Sequence, residues 1–374
     1  MVLVVVGLVS ILLAYANGAN DNFKGVATLF GSGTSGYGRA LAWATLTTAL
    51  GSVTALFLAR GLLTAFSGSG LVPASVVADP AFPAAVALAA GVTVLLATRL
   101  GFPISTTHAL IGGLVGAGLV SSSAGVNGAQ LARGFLLPLA TSPFLAVAMA
   151  GGTYPVLRAV RRWCGISQQT CVCIGEDVVG VVPGAPGREQ ALLAVALPTL
   201  AVDTVPRCEV RYQGAVFGVR ARLLHDVAHY LSAGAVSFAR GLNDTPKIAA
   251  LLLVGSMVSP NLAIVGVGVA MAVGGLMSAS RVAETMAHRV TEMNPGQGLT
   301  ANVVTALLVI GASRFNLPVS TTHVSCGSIF GIGAITRQAH WRMIGSIVLA
   351  WVVTLPLAGA LGAVFVLAFR AWSL

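Results

Sequence analysis

Two six-residue stretches carry the most concentrated polar chemistry in this 374-residue chain: Pro103-Ile104-Ser105-Thr106-Thr107-His108 and Pro318-Val319-Ser320-Thr321-Thr322-His323. They stand 215 positions apart inside a sequence that is otherwise strongly apolar. A leading proline suits the first turn of a helix, where its missing N–H is not needed. Ser, Thr and Thr then fall where backbone N–H groups have no intrahelical acceptor. Such a turn offers partial positive charge and free donors, and hydroxyls add donors without adding charge. One copy alone reads as an ordinary helix cap; two copies facing each other could cage a small oxyanion.

The flanks repeat as well. Thr98-Arg99 matches Ser313-Arg314, and Gly112, Gly116 and Gly118 match Gly327, Gly331 and Gly333. One offset across all of these indicates internal duplication. A second pair of signatures precedes the hexads. Ala19-Asn20-Asp21-Asn22-Phe23-Lys24 aligns with Leu242-Asn243-Asp244-Thr245-Pro246-Lys247, so an Asn-Asp pair with Lys three residues later occurs twice. Gly18, Gly25 and Gly241 loosen the backbone there, and Pro246 is expected to break any helix.

A charge at the centre of a membrane helix costs about 2.5–3.5 kcal/mol, so Asp21, Lys24, Asp244 and Lys247 call for a use or a partner. Asp and Lys at i and i+3 share a helix face and can neutralise each other. That leaves two readings open, structural ion pairs or a charged substrate site. In the second, a carboxylate beside an oxyanion needs a proton, a bound cation or an ammonium. His108 and His323 could donate to the anion, carry a proton, or be satisfied core residues. Arg99 and Arg314 read better as headgroup anchors than as anion ligands, Glu284 as a partner for Arg281, and Gln297 as a supporting polar group.

The elements that must position these groups are membrane helices. The chain is 56% hydrophobic and only 9% charged, against roughly 25% for a soluble domain. Apolar runs fall at 1–16, 40–58, 84–98, 105–120, 134–157, 226–239, 246–278, 299–313, 319–335 and 343–370. Several are shorter than the ~20 residues of a straight span, and matching interrupted segments in two halves point to a site near the bilayer centre. The 45 glycines favour close helix packing. The opening run lacks a basic leader and reads as a span rather than a cleaved signal. The net charge of +10 is Arg-rich and lies between spans, so it reports orientation and not nucleic-acid binding.

The expected fold is therefore an all-α polytopic membrane protein of two inverted-topology repeats, 1–157 and 223–374, with broken helices or re-entrant hairpins. Residues 158–222 read as a small inserted domain with short strands at 170–180 and 198–220. Arg158, Arg161 and Arg162 directly after a span place it in the cytoplasm, where disulfides are not expected. It holds Cys164, Cys171, Cys173 and Cys208, a candidate site for zinc or an iron–sulfur cluster, although the spacing fits no standard zinc pattern. No Ser-His-Asp order with an oxyanion partner appears, so an enzyme is not expected.

With these motifs in hand, the chain resembles the inorganic phosphate transporter (PiT) family. Gly18-Ala19-Asn20-Asp21, Gly241-Leu242-Asn243-Asp244, the two hexads and Met293-Asn294-Pro295-Gly296-Gln297-Gly298 carry the resemblance, which spans nearly all the chain except about 163–222. It implies a multi-pass protein of the cell membrane, embedded in the lipid bilayer, plausible as a homodimer, that needs no cofactor. It also implies an anion held by Ser105, Thr106, Thr107, Ser320, Thr321 and Thr322, with Asn20, Asp21, Asn243 and Asp244 on the anion or the coupling cation. Lys24 and Lys247 depart from the family pattern, which has small residues there. An ammonium in that place argues against sodium coupling and for the proton. The same lysines resemble the family's sulfate-uptake branch. Inorganic phosphate is placed first as substrate, sulfate second, and a passive anion channel is the alternative in kind.

Overall fold

The computed structural model describes residues 2–123, 125–167, 169–182, 193–212, 217–256 and 258–372. The apolar runs become helices: α1 (Val2–Asp21), α2 (Ala27–Gly31), α3 (Tyr37–Leu58), α4 (Arg60–Phe66), α5 (Ala74–Ala78), α6 (Ala81–Leu100) and α7 (Thr106–Ser121). A short α8 (Gly128–Gln130) and a π-helical stretch, Leu131–Leu136, lead into α9 (Leu137–Trp163). Strands β1 (Thr170–Val182) and β2 (Leu193–Thr204), helix α10 (Val205–Arg211) and strand β3 (Phe217–Arg220) follow. The chain then forms α11 (Ala221–Ala249), a 3₁₀ stretch at Ala250–Ser256, α12 (Pro260–Ser278) and α13 (Ser280–Glu284). After a π-helical turn, Thr285–Arg289, it ends with α14 (Pro295–Arg314), α15 (Thr321–Thr336) and α16 (Trp341–Ala371).

Among the described residues, seven helices are long and apolar enough to cross a membrane: those in Val4–Asp21, Tyr37–Leu58, Ala81–Leu100, Gly128–Trp163, Pro260–Ser278, Pro295–Arg314 and Trp341–Ala371. The protein is a multi-pass membrane protein, mostly helical, with a small sheet. Helices α7 and α15 have 16 residues each, about 24 Å at 1.5 Å per residue, short of a ~30 Å hydrocarbon core. Helix α11 is long but carries Asp226, Arg240, Asp244 and Lys247, too many charges for a plain span.

Two proline expectations need correction. Pro103 and Pro318 do not open the helices. They lie in extended chain, and Ser105 and Ser320 are the N-caps, with φ/ψ of −94/112° and −94/116°. Each cap hydroxyl accepts the N–H three residues on, His108 or His323, at 3.1 Å. A serine oxygen in that place satisfies one of the orphan donors of the first turn, which proline cannot do. Pro246 does not break α11, which runs through it to Ala249. Burial of the whole stretch from Ala239 to Ala249 holds the helix where local propensity would end it. The first copy is broken as expected: α1 stops at Asp21, turns occupy Asn22–Val26, and α2 resumes at Ala27.

The helices cross closely where side chains are absent. A Cβ on Gly18 would overlap the Met271 carbonyl, tying α1 to α12, and one on Gly241 would overlap the Thr48 carbonyl, tying α11 to α3. Gly18 and Gly241 are equivalent positions of the duplicated signature. The helix that starts each copy thus packs on the second long helix of the other. The joints that deliver the hexads also match: Gly101, the C-cap of α6, has φ 76°, and its equivalent Asn316, two residues past the end of α14, has φ 55°. Both are left-handed positions, which Gly adopts freely and Asn tolerates.

Residues Pro155–Ala228 form a compact unit of their own. Its sheet has the order β2-β1-β3, antiparallel throughout. Period-2 alternation turns Cys171 and Cys173 inward while Val172 and Ile174 stay exposed, and Cys208 on α10 and Tyr212 complete the small core. Pro206 in the first turn of α10 interrupts the second expected strand region. Cys173 and Cys208 form a disulfide, so the expectation of reduced thiols is overturned. A four-cysteine zinc or iron–sulfur centre is overturned with it. The sulfurs of Cys171, Cys173 and Cys208 cluster within 4.8 Å, but two are bonded to each other and Cys164 is exposed outside the group. One remaining thiol cannot supply the ligand set that such a centre needs. Peptide mapping without reductant should recover Cys173 linked to Cys208, with iodoacetamide labelling Cys164 quickly and Cys171 only after denaturation. Free labelling of Cys173 and Cys208 in the folded protein would contradict the pairing.

Candidate functional site

The site is built where the two signatures meet the two hexads. Asn20 and Asp21 end α1, and the turn after them brings Lys24 back over the helix end. The Lys24 ammonium donates to Asp21 Oδ1, to Asn20 Oδ1 at 2.8 Å and to the Ile104 carbonyl at 2.8 Å. Its fourth acceptor is Thr322 Oγ1, in the other hexad, at 2.7 Å. Lys247 repeats the pattern from α11. It donates to the Val319 carbonyl at 2.7 Å, to Asp244 Oδ1 at 3.4 Å and to Thr107 Oγ1 at 2.9 Å.

The arrangement is reciprocal. Ile104 and Val319 are equivalent positions, as are Thr107 and Thr322. Each lysine therefore binds the aspartate of its own signature, the carbonyl of its own hexad and the hydroxyl of the opposite one. Thr106 and Thr321 donate to the other carboxylate oxygens of Asp21 and Asp244, both at 3.2 Å. Thr322 and Thr107 also donate across to the Ile104 and Val319 carbonyls, at 2.8 and 3.5 Å. Asn20 bonds Thr98 and Asn243 bonds Ser313, which ties each signature to the helix before its hexad. The structure thus brings together all the expected residues: Asn20, Asp21, Lys24, Asn243, Asp244, Lys247 and the hexad residues 105–108 and 320–323. All are buried except the half-buried His108.

Roles divide more finely than the motifs suggest. Ser105 and Ser320 cap their helices. Thr106 and Thr321 serve the carboxylates, while Thr107 and Thr322 serve the ammonium groups. His108 and His323 stand beside this network, their rings in contact with each other. The exposed Arg99 and Arg314 fit the anchor reading; the Arg99 carbonyl accepts from Arg281 at 2.5 Å. Gln297 forms a reciprocal capping box with Asn294 at the start of α14 and reaches Gln338 at 3.0 Å.

Sequence reading missed Asn17, Arg240 and Trp351. Asn17 donates to Asp21 Oδ2 and Thr106 Oγ1, both at 3.0 Å. Arg240 donates to Asn17 Oδ1 at 3.0 Å and Asn22 Oδ1 at 2.8 Å, with Thr48 Oγ1 at 3.3 Å. Its guanidinium takes up the Asn17 oxygen and so aims the Asn17 amide at Asp21. Asn17 and Arg240 stand three residues before Asn20 and Asn243. The signal was available in the alignment of the two copies, as a position where the repeat changes from neutral to cationic. Among these buried groups, three cations (Lys24, Lys247, Arg240) face two carboxylates (Asp21, Asp244). The cluster is one positive charge in excess.

A family model described as the phosphate transporter family matches residues 17–362. The chain belongs to the phosphate transporter family. A phosphate transporter family relative in Pyrococcus horikoshii, named a phosphate permease, is 26% identical over 94% of each chain. One in Rhizobium meliloti, named a low-affinity inorganic phosphate transporter, is 28% identical over 96% of this chain and 94% of its own. The family fold is also seen in a solved structure described as a sodium-dependent phosphate transporter. It superposes with a TM-score of 0.76 at 20% identity, over 99% of both chains. These relatives are named as transporters and not as enzymes.

A buried charge left without its partner costs about 3–5 kcal/mol, whereas replacing the pair together can be near neutral. Lys24→Met is expected to lower the thermal midpoint of the detergent-solubilised protein strongly, and Asp21→Asn with Lys24→Met to recover most of it. Equal destabilisation by the single and double variants, measured by thermal unfolding, would show that the pair is not coupled.

Proposed function

We propose that this chain is a secondary transporter of inorganic phosphate, driven by protons and not by sodium. The observation that carries this reading is the all-oxygen surround of Lys24: Asn20 Oδ1, Asp21 Oδ1, the Ile104 carbonyl and Thr322 Oγ1. Unwound carbonyls, amides and carboxylates at a broken helix are the donor set that holds sodium in transporters. Here a tethered ammonium fills it, and a second does the same with Asp244 and Val319. The aspartates are then neutralised without a dissolved cation. Arg240 leaves the cluster one positive charge in excess, which favours an anion.

In this reading the tips at 105–107 and 320–322 share the anion between them. The cross-contacts Lys24–Thr322 and Lys247–Thr107 are what the anion displaces. It enters as a competitor for the ammonium groups and hydroxyls, and the two duplicated halves, taken as inverted repeats, rock about it. Sulfate is the second reading. It stays a dianion at neutral pH and only accepts hydrogen bonds, so two ammonium groups, a guanidinium and threonine hydroxyls suit it.

The test is uptake in proteoliposomes. Labelled phosphate should accumulate against its gradient when the outside is acidified, with no change when sodium replaces potassium. Asp21→Asn and Asp244→Asn should each lower the rate at least 100-fold. Steep sodium dependence would mean the ammonium groups have been misread, and equilibration without accumulation would make the protein a passive anion channel. Unlabelled sulfate outcompeting unlabelled phosphate would give the site to sulfate.

Residues 158–222 are taken as an inserted domain on the cytoplasmic side, from Arg158, Arg161 and Arg162. The exposed Cys164 makes this testable. A membrane-impermeant maleimide should leave Cys164 unlabelled in intact cells and label it in broken ones. Labelling in intact cells would move the segment to the other side, the oxidising side that its disulfide would suit.

A further inference from the structure

Beside the lysine–aspartate network, the two histidines that end the hexads meet. Their ring centroids are 4.3 Å apart and the rings are perpendicular. His323 is 3% exposed; the Leu139 carbonyl of α9 faces its ring, and among the described residues no further donor or acceptor meets its ring nitrogens. A neutral imidazole has one donor and one acceptor; a carbonyl can take only the donor, so the second nitrogen's lone pair stays unmet, which is unfavourable for a buried group. Most buried polar atoms avoid that state, so an exception asks for an explanation.

The neighbours indicate what the ring is suited to. Trp351 of α16 lies over His323 with centroids 4.0 Å apart and planes 31° apart. The electron-rich face of an indole favours a cation. The indole is itself held in place, since its Nε1–H donates to the Pro103 carbonyl at 2.9 Å. His108 Nδ1 lies 3.3 Å from the Trp351 carbonyl. A carbonyl only accepts, so His108 carries its proton on Nδ1 and keeps a lone pair on Nε2. Each ring can therefore give its N–H to a backbone carbonyl and keep the lone pair of its other nitrogen for a proton.

The charged and titratable groups facing His323 are few. His108 comes from α7 and Lys24 from the turn after α1, with Asp21 paired to that lysine. Cys326 lies one turn along α15, its thiol directed at Met286, and α9 presents the Leu139 carbonyl. Two touching imidazoles do not both charge, because like charges at this distance repel. The pair holds at most one proton. An anion held at the neighbouring helix tips favours a positive charge on the pair by direct attraction. Proton and anion then bind better together than apart, and the coupling is reciprocal.

We infer that the His108–His323 pair is the seat of the proton that travels with the anion, taken from one side of the membrane onto a ring lone pair and released on the other. This rests on the proton-coupled reading above and assigns the proton to specific atoms. The test separates coupling from damage because the accumulation ratio is an equilibrium quantity: a slow but coupled variant still reaches it. With the outside one pH unit more acidic, the unaltered protein should accumulate labelled phosphate about tenfold if one proton accompanies each anion, each pH unit being tenfold. His323→Gln and His108→Gln should bring that ratio to about one, while exchange of labelled for unlabelled phosphate continues at a measurable rate. A tenfold ratio reached by both variants would overturn the inference and leave proton symport standing. Loss of exchange in both would overturn it as well, since a proton seat predicts uncoupling and not inactivation. An unaltered protein that exchanges phosphate but ignores the pH gradient would remove the proton reading itself, and this inference with it.

Discussion

The structure depends on a clasp between two tethered ammonium groups and two hydroxyl-bearing helix tips. Lys24 reaches Thr322 and Lys247 reaches Thr107, so neither tip has its polar groups satisfied by its own half alone. In a low-dielectric interior an unpaired ammonium or carboxylate is costly, and so is an unmet hydroxyl. Each half therefore needs the other to bury its signature. This gives a reason why the motifs come in pairs and why the two copies interpenetrate.

Close backbone approach makes the clasp geometrically feasible. Helices α1 and α12 touch at Gly18, and α11 and α3 touch at Gly241. Larger residues there would hold the helix ends apart and carry the lysines away from the opposite hexad. The equivalent helix tips keep equivalent cap geometry even though the chain enters them differently, from a glycine joint in one copy and an asparagine joint in the other. Strict equivalence fails in two places. The helix breaks at the first signature and runs on through the second, and Asn17 is answered by Arg240. The charge excess arises at the second of these departures.

Much of the site was legible because chemistry here is sparse and repeated. In a chain with 9% charged residues, every charged or hydroxyl-rich motif within an apolar run stands out, and duplication separates signal from chance. The caps were harder. Proline looked like the first helical residue, but serine, two positions later, has the side-chain oxygen that the free N–H groups require. The cysteines were misread because their sequence spacing says nothing of a strand face: period-2 alternation puts Cys171 and Cys173 side by side, and the turn of α10 brings Cys208 to them.

The sequence by itself determined a duplicated, multi-pass membrane protein with paired Asn-Asp-Lys and Ser-Thr-Thr-His signatures, since those follow from composition and from a repeat that can be counted. Only the tertiary structure decided which lysine meets which hydroxyl, that Arg240 orients Asn17, and that His108 and His323 touch under Trp351. Most of those contacts join residues more than a hundred positions apart. They are set by how helices cross at glycines and not by any local period that a linear reading can detect.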